Sequence, residues 1–266
     1  MFEFHADRRR YFEMQVMNSE KYVLPFIENI YEIRQGMRVL EIGAGEGGVL
    51  KAFINRGCTG VAVELDENRV RDGKQLLKKD IDNGVISFFV NNIYDTDVGT
   101  LGGQFDIIVL KDVIEHIHDQ ARLIDWLHSF LKPGGVIYFG FPPWQMPYGG
   151  HQQMCQYFLA KVPYIHLLPV PLYRGLLKLF KEHSSTIENL LEVKETGISI
   201  EKFEKIIRKT DYIILNKKHY AINPIYQYKF GWKPREQMEL IQAIPYVRNY
   251  LTTCVYYLVS SKTEHS

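Results

Sequence analysis

Residues Val39 to Gly48 read VLEIGAGEGG, and what precedes and follows them decides the fold. Val39, Leu40 and Ile42 make a short apolar run of the kind that forms a buried strand. Gly43, Gly45 and Gly48 then fall at the G-x-G-x-x-G spacing, where glycine lets the chain turn sharply and come close to a ligand. That spacing is shared with dinucleotide-binding turns, whose pyrophosphate sits on the N-terminus of the following helix. Two letters argue against a pyrophosphate. Glu41 on the strand and Glu46 in the turn would repel it, whereas a cationic ligand would be drawn to one or both.

Outward from this stretch, strand-like and helix-like segments alternate. Residues 5–35 have helical spacing, with Tyr11, Met14, Val16, Val23, Phe26, Ile27, Ile30 and Ile33 as its apolar positions, and Gln35-Gly36 breaks it. Downstream, VLKAFINRG reads as a helix closed by Gly57, GVAVELD as a second strand and ENRVRDGKQLLKKDID as a helix. VISFFVNNI and FDIIVLKDV are the third and fourth strands. DQARLIDWLHSFL is a helix closed by Lys132-Pro133-Gly134-Gly135, and VIYFGFP is the fifth strand. Beyond a proline- and aromatic-rich stretch, SIEKFEKIIRK is a helix, and DYIILNKKHYAI and TTCVYYLVSS are strands that would close the sheet as an antiparallel pair.

The expected fold is therefore α/β, a Rossmann-like doubly wound sheet of seven strands with the last antiparallel, N-terminal helices and a helical, aromatic lid inserted after strand 5. The expected division is an N-terminal helical cap (1–36), a cofactor-binding core (37–141), a lid or substrate insertion (142–198) and a C-terminal completion of the sheet (199–266). In such a sheet, ligands bind beyond the carboxyl ends of the strands.

With these segments in place, VLEIGAGEG resembles the first motif of class I S-adenosyl-L-methionine-dependent methyltransferases, and the chain looks like their type 11/23 small-molecule branch. The further motifs come in the family's order: VAVELDENRV, FFVNNIYD, FDIIVLKDVIEHIHD and LKPGGVIYF. The resemblance covers residues 37–141 well and the last strands loosely. It implies that Glu41, Gly43, Ala44 and Gly45 frame the methionine end of the cofactor, with Glu41 near its amino group. It puts Glu64 on the ribose hydroxyls, a carboxylate accepting from two donors. Asn92 stands where the family more often has Asp, its oxygen able to accept from the adenine amino group. Leu65, Ile93 and Lys111 flank the cofactor, or serve only as packing and strand-end residues. Asp66 reads as a helix N-cap. The product would be S-adenosyl-L-homocysteine.

A hydroxyl acceptor must lose a proton during methyl transfer, and His116 in EHIHD and His151 in YGGHQQ are the candidate bases. The alternative for His116 is that it braces the turn with Glu115, and for His151 that it is an ordinary residue of a polar loop. No metal is expected, because the histidines show no ligand spacing such as HxxxH. The lid motif FPPW…PYGGHQ…PYIHLLP resembles lids of bacterial methyltransferases of polysaccharide or natural-product biosynthesis, and the motif order also resembles the ubiquinone-pathway O-methyltransferases. Its aromatic residues Trp144, Tyr148, Tyr157, Phe158 and Tyr164 suit a sugar face or a ring. The expected reaction is methylation of an oxygen on a sugar, phenol or lipid-linked metabolite. The alternatives are an NAD-dependent oxidoreductase and a non-catalytic binder of the same cofactor.

Composition narrows the partners. The 266 residues carry a formal net charge of +1, so no global field favours nucleic acid. From Trp126 to Lys181 there is no Asp or Glu, while Lys132, Lys161, Arg174, Lys178 and Lys181 are basic. A basic, apolar segment at 159–181 either contacts a membrane surface or lipid-linked substrate, or packs over the site with a solvated basic edge. The charged N-terminus MFEFHADRRRYFE is unlike a secretory signal, and Cys58, Cys155 and Cys254 form no cluster. A cytoplasmic enzyme is the expectation, and nothing in the sequence sets an oligomeric state.

Overall fold

The computed structural model describes residues 7–156 and 158–262; Tyr157 of the lid and positions 5 and 6 of the first expected helix lie outside them. An eight-stranded sheet runs through the molecule in the order β3-β2-β1-β4-β5-β8-β6-β7. The strands are β1 (Arg38–Ile42), β2 (Thr59–Glu64), β3 (Ile86–Val90), β4 (Phe105–Lys111), β5 (Leu131–Phe141), β6 (Tyr212–Ile222), β7 (Arg235–Glu236) and β8 (Cys254–Ser261). The first five are parallel, and β8 enters antiparallel between β5 and β6. The eighth strand, absent from the sequence reading, is the two-residue β7 on the edge of β6.

The helices are α1 (Arg8–Asn18), α2 (Leu24–Glu28), α3 (Gly48–Asn55), α4 (Glu67–Leu76), α5 (Lys78–Asp82), α6 (Gln120–Trp126), α7 (Val170–Leu179), α8 (Ser184–Thr196), α9 (Ile200–Lys209), α10 (Tyr226–Phe230), α11 (Glu239–Gln242) and α12 (Val247–Leu251). Each face of the sheet carries its own apolar layer, as expected when helices cover both sides of parallel strands. One layer joins Leu40, Ile108, Phe139 and Tyr257 to Phe203 of α9. The other joins Val39, Val109, Tyr138 and Tyr256 to Phe53 of α3 and Phe26 of α2.

The expected helix 5–35 is shorter and interrupted. A wide π-turn, Ser19–Val23, separates α1 from α2, which starts with Pro25 in its first turn and ends at Glu28. Proline supplies no N–H to the preceding turn, so a continuous α-helical ladder cannot cross it. The third motif glycine, Gly48, serves this region: a Cβ there would fall 2.9 Å from the Phe12 carbonyl oxygen of α1. Lys132 to Gly135 are not a helix cap followed by a strand but lie within β5, where the pairing with β4 is irregular.

The stretch 142–198, the expected lid, contains three 3₁₀ turns, then α7 and α8. They carry a small core of their own, with Leu159, Ile165, Tyr173, Leu177, Leu190 and Leu191 buried together. At the other end of the chain, α9 is tied to α12 by a buried network. Arg248 donates to Glu201 at 2.8 Å and Glu204 at 3.1 Å, and Asn249 receives the Ile200 N–H at 2.8 Å. These ties hold the segment after β6 against the sheet, beside the lid; Tyr164 donates from the lid to the Tyr250 carbonyl at 3.1 Å.

Candidate active site

The carboxyl ends of β1, β2 and β4 bring the motif residues together. Gly43 and Gly45 have φ of +65° and +55°, values open to glycine and costly for other residues. There is also no room for a side chain: a Cβ on Gly43 would lie 2.5 Å from a Val113 methyl, and one on Gly45 2.1 Å from the Arg69 guanidinium.

Glu41 is 3% exposed, and its Oε2 accepts the Leu50 N–H at 2.9 Å, so the strand carboxylate caps the first turn of α3. Burial pushes its pKa up to about 8, against the Leu50 N–H and the charge of Lys111, which pull it down. A cationic group arriving beside it would restore its charge. Glu64 ties the glycine loop to the end of β2: Oε2 accepts from Gly45 N at 2.7 Å, and Oε1 from Leu65 N at 2.8 Å and Asp66 N at 3.0 Å. Three of its roughly four acceptor positions are thus engaged. Ribose hydroxyls on both oxygens would require the Gly45 bond to yield.

The other sequence-derived cofactor residues lie around these two. Ala44 is buried in the loop, Ile93 is buried behind β3 and Leu65 stands 68% exposed at the rim. Asn92 is exposed, and its Oδ1 accepts the Tyr94 N–H at 3.0 Å, capping a 3₁₀ turn with one lone pair to spare. Asp66 is the N-cap of α4, as its sequence context indicates. Glu46 departs from the sequence reading. It is 3% exposed and bonded to Arg8 and to Arg69, the latter at 3.0 Å, so its charge is taken up by two guanidinium groups. Burial works against that charge, but the arginines outweigh it and hold its pKa below the usual carboxylate value. Of the two glutamates, Glu41 is the one left to face a cationic ligand.

At the end of β4, Lys111 is buried and its Nζ lies 2.6 Å from Asp112 Oδ2. Burial disfavours the ammonium, but Asp112 and Tyr11 raise its pKa above the usual lysine value. Asp112 itself is held in the left-handed region, φ +57°, a strained setting for a residue with a side chain. The turn that follows, Ile114–His116, brings His116 to the lid: its ring centre is 5.0 Å from that of His151. His151 also has a positive φ, +56°. The structure therefore joins two histidines that are 35 positions apart in sequence. Burial lowers the pKa of both, that of His151 to about 4 with His116 adding to the effect, so both are neutral at pH 7.

Glu115 joins them, with donor atoms of Glu115, His116 and His151 all within 4.8 Å of one another. Its Oε2 is buried without a hydrogen-bond partner, and burial together with Asp112 raises its pKa well above the carboxylate range. Two imidazoles and a carboxylate are a donor set that suits a divalent cation, assembled from two segments rather than from one motif. Ligand spacing along the chain, the ground on which a metal was not expected, does not reveal it. His118, by contrast, is exposed, 3.4 Å from Glu192.

Sequence reasoning missed Tyr11, Asp112, Tyr226 and Lys229. Lys229 Nζ lies 5.2 Å from the centre of the Tyr11 ring, and the charges of Lys111 and Lys229 act on Asp112. The adjacency Lys111-Asp112 was a visible signal; the contribution of α10 was not. Of the lid aromatics, Trp144 is structural: its carbonyl is 2.8 Å from His166 Nε2 and its ring packs edge-on against that imidazole.

A family described as a methyltransferase domain matches residues 16–183, well over half of the chain. The ubiquinone biosynthesis O-methyltransferase of Azotobacter vinelandii is 26% identical over 104 residues, 39% of this chain and 44% of that protein. An uncharacterized methyltransferase of Mycobacterium sp. (strain KMS) is 28% identical over 129 residues, 47% of this chain and 46% of that protein. The chain thus matches less than half the length of these curated relatives. Among solved structures, a phosphoethanolamine N-methyltransferase of Haemonchus contortus, with S-adenosylhomocysteine bound, superposes with a TM-score of 0.54 at 16% identity, covering 90% of this chain and 52% of the other. A geranyl diphosphate methyltransferase bound to S-adenosylmethionine gives 0.55 at 12% identity, covering 91% and 84%. These two structures share the fold.

Proposed function

The chain belongs to the methyltransferase domain family, and from that premise we propose that it transfers the methyl group of S-adenosyl-L-methionine to an oxygen of a small acceptor, a sugar, phenol or lipid-linked metabolite of polysaccharide or natural-product biosynthesis, in the cytoplasm. The observation that carries the reading is one juxtaposition. A buried carboxylate beside a glycine loop, Glu41 with Gly43 and Gly45, lies at the same sheet edge as the paired imidazoles His116 and His151.

The residues fit the cofactor. Glu41 is held at a pKa of about 8, so it gains most from a neighbouring ammonium. The glycine loop adds no side chain of its own at Gly43 and Gly45, and Glu64 is held at the end of β2 by three N–H donors, of which Gly45 N would yield to ribose hydroxyls. Ala44, Leu65, Asn92, Ile93 and Lys111 complete the frame. When bound, the cofactor supplies an electrophilic methyl group. The protein's share is to align the acceptor and remove its proton. His116 takes that proton at a ring nitrogen. The pKa of His151, about 4, is too low for an efficient base at neutral pH. His151 positions the acceptor from the lid.

The lid adds a contact surface. Within α7, Tyr173 and Leu177 face inward, while Leu172 and Leu179 are 63% and 74% exposed beside Arg174 and Lys178. Segment 159–181 thereby offers apolar and basic groups to a membrane surface or the tail of a lipid-linked acceptor.

Methyl-labelled cofactor incubated with the protein and a small-molecule extract tests the reaction. Label is expected in a small-molecule product, and His116→Ala should cut transfer by about a hundredfold or more. Saturable cofactor binding with no transfer in any extract would favour a non-catalytic binder.

A further inference from the structure

Glu115 and His116 come from the turn after β4 and His151 from the lid, and one donor atom of each lies within 4.8 Å of the other two. Bonds of about 2.0–2.2 Å from one ion to an imidazole nitrogen or a carboxylate oxygen set two ligands roughly 3–4 Å apart. Small side-chain rotations bring the three donors to that spacing, because both backbones are already fixed. The His116 N–H donates to the Val113 carbonyl at 2.9 Å, and Gln120 ties the same turn down by donating to the carbonyls of Ile114 and of Thr196, at the end of α8. On the lid, the His151 N–H donates to the Tyr148 carbonyl at 3.1 Å, and its own carbonyl accepts the Met154 N–H at 2.9 Å.

Glu115 carries the argument. It is 5% exposed, and its Oε2 is buried without a hydrogen-bond partner. Such an oxygen is costly to bury unless a donor or a positive charge meets it, and a cation held between it and the two imidazoles does so. Glu115 is buried, His151 half-buried and His116 exposed, so the cluster is walled on one side and open on the other. Three protein ligands with a position left open is the pattern of a catalytic metal site rather than a structural one. The nitrogen donors also select the ion: imidazole suits zinc, iron or nickel, whereas magnesium and calcium take oxygen ligands.

We propose that Glu115, His116 and His151 together bind one divalent transition-metal cation, of which zinc is the simplest example, with a position left for the acceptor oxygen. The ion site stands on its own geometry; its part in the reaction rests on the reading of the cleft as a methyl-transfer site. There the coordinated hydroxyl gives up its proton to water at a pH at which a free hydroxyl keeps it, and the ring nitrogen of His116 is then a ligand instead of the base. His116→Ala removes both routes, so the loss of transfer expected of it is the same.

The test uses the full chain, stripped with a chelator and dialysed, and Co²⁺ alone as the probe, whose visible absorption reports its ligands. Wild type, Glu115→Gln, His151→Ala and the control His118→Ala are titrated, and far-UV circular dichroism and S-adenosyl-L-homocysteine affinity are measured for each. Wild type and His118→Ala should bind one Co²⁺ per chain, which excludes the exposed pair His118 and Glu192 as the site. Zn²⁺ should displace the Co²⁺, and a large excess of Mg²⁺ should not. Glu115→Gln and His151→Ala should each weaken binding by at least about tenfold, the size that losing even an outer-shell partner costs, with circular dichroism unchanged. The two variants lie in different segments, so misfolding of one leaves the other to decide. No saturable binding by wild type, undiminished binding by the folded variants, or displacement by Mg²⁺ as ready as by Zn²⁺ overturns the proposal. Co²⁺ binding as described by a wild type that does not bind S-adenosyl-L-homocysteine would instead overturn the methyltransferase reading and leave the ion site standing.

Discussion

Glu41 shows what a single residue can announce. A carboxylate within an apolar strand is costly to bury unless a partner or ligand repays it, and the Leu50 N–H repays only part. Its pKa is 4.5 in the unfolded chain and about 8 in the fold. Between those values the folded state holds a proton that the unfolded chain releases, so this group's contribution to stability falls as pH rises. In melting curves without ligand, Glu41→Gln should therefore gain on wild type between pH 5.5 and 8.5. With S-adenosyl-L-homocysteine, wild-type affinity should rise over the same range and the variant's should not. Parallel pH profiles for the two proteins would remove Glu41 from the cofactor's amino end. Glu46 was not legible in the same way: its partners Arg8 and Arg69 lie 38 and 23 positions away, and only the fold brings them to it.

Elements with one strong period were legible, and those fixed by tertiary contacts were not. The parallel strands read as apolar runs because helices bury both faces, and SIEKFEKIIRK read as the helix that the structure has as α9, capped by Ser199, whose hydroxyl accepts the Lys202 N–H at 3.0 Å. The short helices α10, α11 and α12 have no such signature; packing and the Arg248 network fix them. This is why Lys229 and Tyr226 escaped notice. Helix α7 was visible as part of a basic, apolar segment, and its outward leucines are the unusual part. Replacing both Leu172 and Leu179 with Asp should leave the melting temperature nearly unchanged, since exposed positions contribute little. The same pair should abolish co-sedimentation with anionic lipid vesicles, if the wild type binds them through this face. Equal sedimentation by both proteins would place the contact elsewhere.

Across the whole molecule, the sheet order places the strand-borne candidate residues at one edge. Glu41, Glu64 and Lys111 lie at the carboxyl ends of adjacent parallel strands, with β1 paired to both β2 and β4. Among the described residues no helix is long and apolar enough to cross a membrane. The carboxyl-edge site could be read from strand alternation, because crossover handedness leaves little choice. The convergence of His116 with His151 could not, since the lid's path depends on its own small core. The account's central claim is that the glycine loop holds an adenosyl amino acid rather than a dinucleotide. Calorimetric titration of the full chain with S-adenosyl-L-homocysteine and, separately, with NADH decides it. Saturable heat with the former alone is predicted, weakened by about 1–3 kcal/mol in Glu64→Ala; no heat with S-adenosyl-L-homocysteine, or saturable binding of NADH in its place, would contradict the account.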